Sequence, residues 1–122
     1  MILADSSVWV DHLHRADPVL YRLFHSDEIL IHPVVIGELA LGRIADRAET
    51  LKVLRRLPRA EVAGHDEVLQ LIEDWKLYDC GIGYGDAHLL ASVLLTSGSR
   101  LWTRDRALRR VARQLAVDAG LS

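Results

Sequence analysis

Cysteine is almost missing from this sequence. Cys80 stands alone, which excludes an internal disulfide and suits a reducing compartment. Lysine is nearly as scarce: of the 15 basic residues only Lys52 and Lys76 are lysines, so the positive charge is carried by arginine, which grips anions with a two-pronged fork. No apolar run approaches the length of a membrane span; the longest lies around Leu89 to Leu95. The apolar start is broken by Asp5 and lacks a basic leader, so no secretory signal is expected. A soluble, cytoplasmic protein with no membrane partner is the expectation. Neither sign of charge dominates, and a net charge of −2 excludes a general attraction to polyanions. The histidines show no HxxxH or HExxH spacing, and His12 and His14, two apart, diverge on a helix, so a histidine-zinc site is not expected.

What is present is globular. Half of the 122 residues are hydrophobic and 26% charged, enough to close one core, and no linker or repeat divides the chain, so residues 1–122 read as a single domain. Short strand-like runs alternate with longer helical ones, the pattern of an α/β protein built on parallel strands. Met1 to Ala4 predicts a buried strand, followed by a helix capped by Ser6 or Ser7 and running to about Arg15. Asp17-Pro18 restarts a helix that runs to about Ser26, with Asp as cap and Pro in the first turn. Strands are expected over Glu28 to His32, around Ala60 to Ala63, over Arg100 to Thr103 and, marginally, in "AVDAG". Helices are expected from Pro33 to about Ala45, around Leu51, Leu54 and Leu57, from His65 to Tyr78, from Asp86 to Thr96 and from Asp105 to about Gln114. "DCGIGYGD" is a glycine-rich loop whose spacing is wrong for a dinucleotide fingerprint.

Four acids stand out from this pattern. Asp5 and Asp105 each follow the end of a predicted strand, and in an open parallel sheet ligands bind beyond those ends. Taken singly, Asp5, Asp86 and Asp105 each also read as helix caps. Glu38, in "HPVVIGELALG", has Val34, Val35 and Leu41 as helical neighbours, and a carboxylate on an apolar stripe is costly unless paired or bound to a cation. Two carboxylates about 4 Å apart repel by about 4 kcal/mol at an effective dielectric near 20. Brought together, such acids need protons or a cation, and all-oxygen ligands suit Mg²⁺ or Mn²⁺.

The segments "MILADSSVWVDHL", "HPVVIGELALG", "GYGDAHLLASVLL" and "LWTRDRAL", in this order and across essentially the whole chain, resemble the PIN-domain ribonucleases of the VapC toxin type. The resemblance implies a central parallel β-sheet flanked by helices on both faces, and Mg²⁺- or Mn²⁺-dependent hydrolysis of RNA. It implies that Asp5, Glu38, Asp86 and Asp105 form the acidic quartet, with Asp5 and Asp86 as principal metal positions, Asp105 as a helper, and Glu38 positioning the metal, directly or through water, and helping to orient the attacking water. Ser6 and Thr103 match hydroxyls that brace the acids. One departure is Gly85, where relatives often carry an apolar residue just before the third acid.

The resemblance also implies partners. A VapB-type antitoxin would lie in a groove of the early helices, for which Trp9, Leu13, Tyr21, Phe24, Leu51 and Leu54 are candidates, and a homodimer is expected. Arg104, Arg106, Arg109, Arg110 and Arg113 are candidates for holding the RNA backbone beside the acids. Two alternatives come from other classes. A phosphoacceptor receiver domain shares the α/β layout but requires a lysine after a late strand, whereas Lys52 and Lys76 both fall in predicted helices. A PIN domain that binds RNA without cleaving it would be distinguished by a cleavage assay.

Overall fold

A computed structural model describes all 122 residues. Three short strands form its sheet: β1 (Ile2–Ala4), β2 (Ile29–Leu30) and β3 (Arg100–Trp102). The order is β2-β1-β3 and both pairings are parallel, with Leu3 opposite Leu30 on one side and Leu101 on the other. The chain leaves β1 for β2 on one side and later crosses to β3 on the other. The strand order therefore reverses between β1 and β3, which is where a parallel sheet opens a crevice at its carboxyl edge. Asp5 and Asp105 follow those two strands, so the sequence places acids on both lips of the crevice.

Seven helices surround the sheet: α1 (Ser6–His14), α2 (Pro18–His25), α3 (Pro33–Ala40), α4 (Arg47–Arg55), α5 (His65–Asp74), α6 (Tyr84–Leu95) and α7 (Arg106–Gln114). The core gathers all three strands and the apolar helix faces, and Leu3, Leu89, Leu90, Leu101 and Leu108 are fully buried in it. Each such side chain contributes about 1.5–3 kcal/mol by leaving water. The Asp17-Pro18 start of α2 forms as expected, with Asp17 Oδ1 accepting from the Val19 and Leu20 N–H groups at 2.9 and 3.0 Å.

Several expected boundaries shift for local reasons. The strand expected over Ala60 to Ala63 reduces to a single parallel bridge between Ile31 and Arg59, and "AVDAG" contributes a single bridge between Leu101 and Asp118. The helix from Pro33 ends at Ala40 and not Ala45, because the Arg47 guanidinium takes the Ala40 and Gly42 carbonyls and closes the helix end. The helix from His65 stops at Asp74, followed by Lys76 with φ 52°, a left-handed turn that continuing the helix would forbid. The last long apolar helix begins at Tyr84, two residues before the expected start, so Asp86 sits inside its first turn and Gly83 takes the cap. The cap of α1 is Asp5 itself, with Ser6 and Ser7 inside the helix.

Arg104 ties the crevice to the early helices. Its guanidinium meets Asp11 at 2.8 Å and Asp17 at 2.5 Å, and its Nε–H donates to the Ser122 main-chain oxygen at 3.1 Å. Burial by itself would raise the Asp17 pKa, but hydrogen bonds from the Leu20 N–H, Arg104 and the Val19 N–H outweigh it and lower the value. Arg104→Met should destabilise the fold by about 1–2 kcal/mol in urea melts. A double-mutant cycle with Asp17→Asn, which keeps the cap acceptor and removes the charge, should return a coupling of about 1 kcal/mol. Additive effects would show that the pair contributes nothing.

Candidate active site

Asp5 is only 5% exposed, and both of its carboxylate oxygens are engaged. Oδ1 accepts from the Ser7 N–H at 3.0 Å and the Ser7 hydroxyl at 2.5 Å, with the Val8 N–H at 3.4 Å. Oδ2 accepts from the Thr103 hydroxyl at 2.5 Å. Each hydroxyl in turn accepts a main-chain N–H of the turn after β3. Arg104 N–H donates to Ser7 Oγ and Asp105 N–H to Thr103 Oγ1, both at 3.0 Å. Two parallel relays thus run from residues 104 and 105, through one hydroxyl each, to the two oxygens of Asp5. They lock the ends of β1 and β3 together at the switch point.

Thr103 stands where the sequence expected a bracing hydroxyl. Ser7, which the sequence reading considered only as a helix cap, is the second brace. The signal was available, since Asp5-x-Ser7 and Thr103-x-Asp105 place hydroxyl and acid two residues apart, the spacing of local side-chain turns. Ser6 instead faces Glu38, where its hydroxyl favours the ionised carboxylate.

The other three acids surround Asp5. Asp86, in the first turn of α6, accepts from the Gly83 N–H at 3.0 Å. Asp105 caps α7 by accepting from the Leu108 N–H at 2.8 Å and remains exposed. Glu38 lies near the end of α3 at the solvent edge. The apolar stripe around it is not core throughout, because Leu41 falls outside the helix and is 90% exposed. Gly85 brings α3 and α6 together: a Cβ there would stand 3.0 Å from Val34 Cγ1 and 4.0 Å from Glu38 Oε2. Its value is close approach and not flexibility.

The four carboxylates act on one another. Burial raises the Glu38 pKa, Asp86 and Asp5 raise it further, and the Ser6 hydroxyl opposes them. Burial likewise raises Asp86, the Gly83 N–H opposes this, and Asp105 and Asp5 add to the rise. No cation relieves either group. Arg104 is turned to Asp11 and Asp17, Arg109 donates to the Thr103 carbonyl at 2.8 Å, and Arg110 donates to the Cys80 carbonyl at 3.4 Å. Arg113 is exposed and 3.5 Å from Asp118, and Arg106 is exposed without a partner.

No three of these side chains stand close enough to enclose an ion. The acids ring an open crevice. That arrangement fits Mg²⁺ or Mn²⁺, of which Mg²⁺ takes one or two carboxylates and keeps several waters, better than a closed all-protein cage. Glu38 and Asp86, both raised first by burial and then by acidic neighbours with no compensating cation, would be relieved by such an ion.

The family model described as PIN domain matches residues 2–114. The chain belongs to the PIN-domain family. It is similar to Ribonuclease VapC32 of Mycobacterium tuberculosis, in strains CDC 1551 / Oshkosh and ATCC 25618 / H37Rv alike, with 47% identity over 117 residues, 96% of this chain and 94% of the relative. The similarity therefore runs through nearly the whole chain and marks it as VapC-type. The receiver-domain alternative falls with this match.

Two grooves lie among the early helices, and one of them reaches the crevice at Glu38. One, of about 420 Å³, is lined by Trp9, Leu13, Tyr21, Phe24 and Leu54 among others, with Val53 and Thr50 from α4. Leu51, expected in that groove, packs toward the core instead. Trp9 and Leu54 form the floor, being almost fully buried, whereas Tyr21 is 58% exposed. The second groove, of about 540 Å³, shares Leu13 with the first and reaches Glu38.

His32, read from the sequence only as a strand end, is buried and caps α3 by accepting the Val34 N–H on Nδ1 at 3.0 Å. Burial, with His88 and Arg59 nearby, lowers its pKa to about 4 from an ordinary 6.5. Between those values the unfolded chain binds a proton that the fold refuses, so stability is full above 6.5 and falls as the pH drops toward 4. His32→Asn keeps a cap acceptor without the titration, and its urea-melt stability should fall less steeply across that window. Thr103→Val, which leaves Asp5 Oδ2 and the Asp105 N–H without their hydroxyl, should cost about 1–3 kcal/mol by the same measurement.

Proposed function

We propose that this protein is an Mg²⁺- or Mn²⁺-dependent endoribonuclease, the toxin of a VapBC-type module. The observation that carries the reading is the gathering of Asp5, Glu38, Asp86 and Asp105 at the β1–β3 switch point with no cation among them. The relative named as a ribonuclease supports it across nearly the full chain.

Asp5 and Asp86 are the residues that would hold the ion, with Asp105 helping at the exposed lip. Bound there, a divalent ion supplies the charge that offsets the scissile phosphate and makes a water nucleophilic near neutral pH. The chain's own part is positional. The paired hydroxyl relays fix Asp5, so its oxygens cannot rotate away, and the Gly83 N–H orients Asp86. Glu38, raised by burial and by its acidic neighbours, binds a proton more readily than an ordinary glutamate, which suits it to orient the attacking water and accept its proton. Arg106 and Arg113, the least committed cations of α7, are placed to take the RNA backbone, whereas Arg104, Arg109 and Arg110 also serve the fold.

The joined grooves suit a VapB-type antitoxin segment that packs apolar side chains over Trp9 and Leu54 and continues past Leu13 toward Glu38. Occupying that track would also obstruct the crevice, which couples binding to inhibition. A homodimer belongs to this reading on the resemblance alone.

Purified protein should cut RNA with Mn²⁺ or Mg²⁺ and stop in chelator, and Asp86→Asn should reduce the rate by at least about 100-fold. Because Glu38 and Asp86 hold their protons above the ordinary range, metal affinity measured calorimetrically should weaken as the pH falls toward that range, with proton release on binding. RNA bound but uncut at any metal concentration would favour the non-catalytic PIN alternative.

A further inference from the structure

Charge separates the two grooves among the early helices. The first, over Trp9 and Leu54, is lined by Asp46 and Glu49 and by no arginine or lysine. A polyanion is repelled there. The second, of about 540 Å³, has the size of a small-ligand site and sets Arg43 and His14 over an apolar floor of Val10, Leu13, Leu39 and Ile44. It is also the groove that reaches Glu38, and so the one that opens beside the acids.

Two pieces of chain form its walls. Val10, Leu13 and His14 stand at i, i+3 and i+4 on one face of α1, and all three are exposed. The facing wall is the loop between α3 and α4, residues 42–45, which is braced at both ends. Arg47 donates to the Gly42 carbonyl at 3.2 Å, and the Thr50 hydroxyl donates to the Ala45 carbonyl at 3.1 Å. Arg43 and Ile44 are therefore held between two fixed carbonyls. The Arg43 guanidinium is exposed and has no ion pair or hydrogen bond, unlike those of Arg104, Arg109 and Arg110.

Topology adds a direction. In the order β2-β1-β3, Asp105 and Arg106 follow β3 on one side, α3 with Glu38 follows β2 on the other, and Asp5 follows β1 between them. RNA crossing the crevice along that order leaves it past Arg106 on one side. On the other it passes Glu38 and enters the second groove.

We infer that this second groove is the subsite for one unpaired nucleotide of the RNA, next to the scissile phosphate on its Glu38 side. The apolar floor takes the base, His14 supplies a planar face on which a base stacks, and Arg43 takes the adjoining phosphate. The subsite presupposes the nuclease reading and adds to it two substrate-binding residues outside the acids and α7. An antitoxin segment running past Leu13 toward Glu38 displaces this nucleotide, whereas the acidic first groove is the antitoxin's alone.

Steady-state cleavage of a single-stranded RNA with Mn²⁺ gives the first readout. Arg43→Gln should raise KM about 10-fold, leave kcat within about threefold and make the salt dependence of log kcat/KM shallower by about one, with Arg43→Lys restoring it. His14→Ala should raise KM about 10-fold, and His14→Phe, which keeps a stacking face, should return it toward the wild-type value. Arg55→Gln removes an exposed cation of α4 that lines neither groove, and should leave KM within about twofold. A KM indifferent to Arg43→Gln and His14→Ala, in a protein that cuts RNA, overturns the subsite, leaves the nuclease reading standing and gives the groove to the antitoxin. Binding separates the opposite case. Methyl spectra titrated with the same RNA, with Ca²⁺ in place of Mn²⁺ as the oxygen-bound cation, should shift Val10 and Ile44 and leave Val53 and Leu54 of the first groove unmoved. Those shifts in a protein that cuts no RNA with any metal would keep the subsite and remove the nuclease reading. No shifts, or shifts at Val53 and Leu54 instead, would overturn the subsite.

Discussion

A buried carboxylate joined to two strands through hydroxyls governs the rest of this molecule. Asp5 acts only as an acceptor in its contacts, and in the interior both of its oxygens must find donors. Main-chain N–H groups at the start of α1 serve one oxygen, as at any capped helix. Ser7 and Thr103 bring in the donors of a segment 97 and 98 residues away in sequence. The same contacts that satisfy the charge therefore set the spacing of β1 and β3 at the point where the strand order reverses. Fold and site share one set of hydrogen bonds, so the crevice cannot drift without loss of stability.

The distribution of arginine follows from this arrangement. A chain with 15 basic residues could have neutralised its four acids internally. Arg104 immediately precedes Asp105, yet its side chain runs to Asp11 and Asp17, as alternation along an extended segment requires. Arg109 and Arg110 are engaged by carbonyl groups. The acidic crevice is kept free of cations by giving the nearest ones other partners, which leaves the negative potential available to an external ion.

The parts of this design that were legible in sequence were those written locally. Asp17-Pro18, the apolar first strand and the acids after strand ends each carry their meaning within a few residues. The family resemblance then ordered the acids into one site. What escaped was set by distant contacts. The division of labour between Ser6 and Ser7 depends on which faces Thr103's turn and which faces α3. The early end of α3 depends on Arg47 reaching back to its carbonyls. His32 looked like the last residue of a strand, and its role as a cap appears only when the Val34 N–H turns toward it. The exposed Leu41 misled in the opposite sense, since an apolar neighbour in sequence suggested apolar surroundings on every side of Glu38, where the helix end opens one side to solvent.

Leaving four acids uncompensated carries an energetic consequence. Burial raises Glu38 and Asp86 and the neighbouring acids raise them further, so the metal-free fold is less stable than one in which those charges were paired. Hydrogen bonds to Asp5, Asp86 and Asp105 offset part of that cost without removing any charge, because an N–H or hydroxyl donor stabilises a carboxylate and leaves its negative field largely in place. A salt bridge would have stabilised the fold more simply and abolished the site. The preference for neutral donors over cations around these acids is therefore the physical feature that separates a binding crevice from a structural ion-pair network.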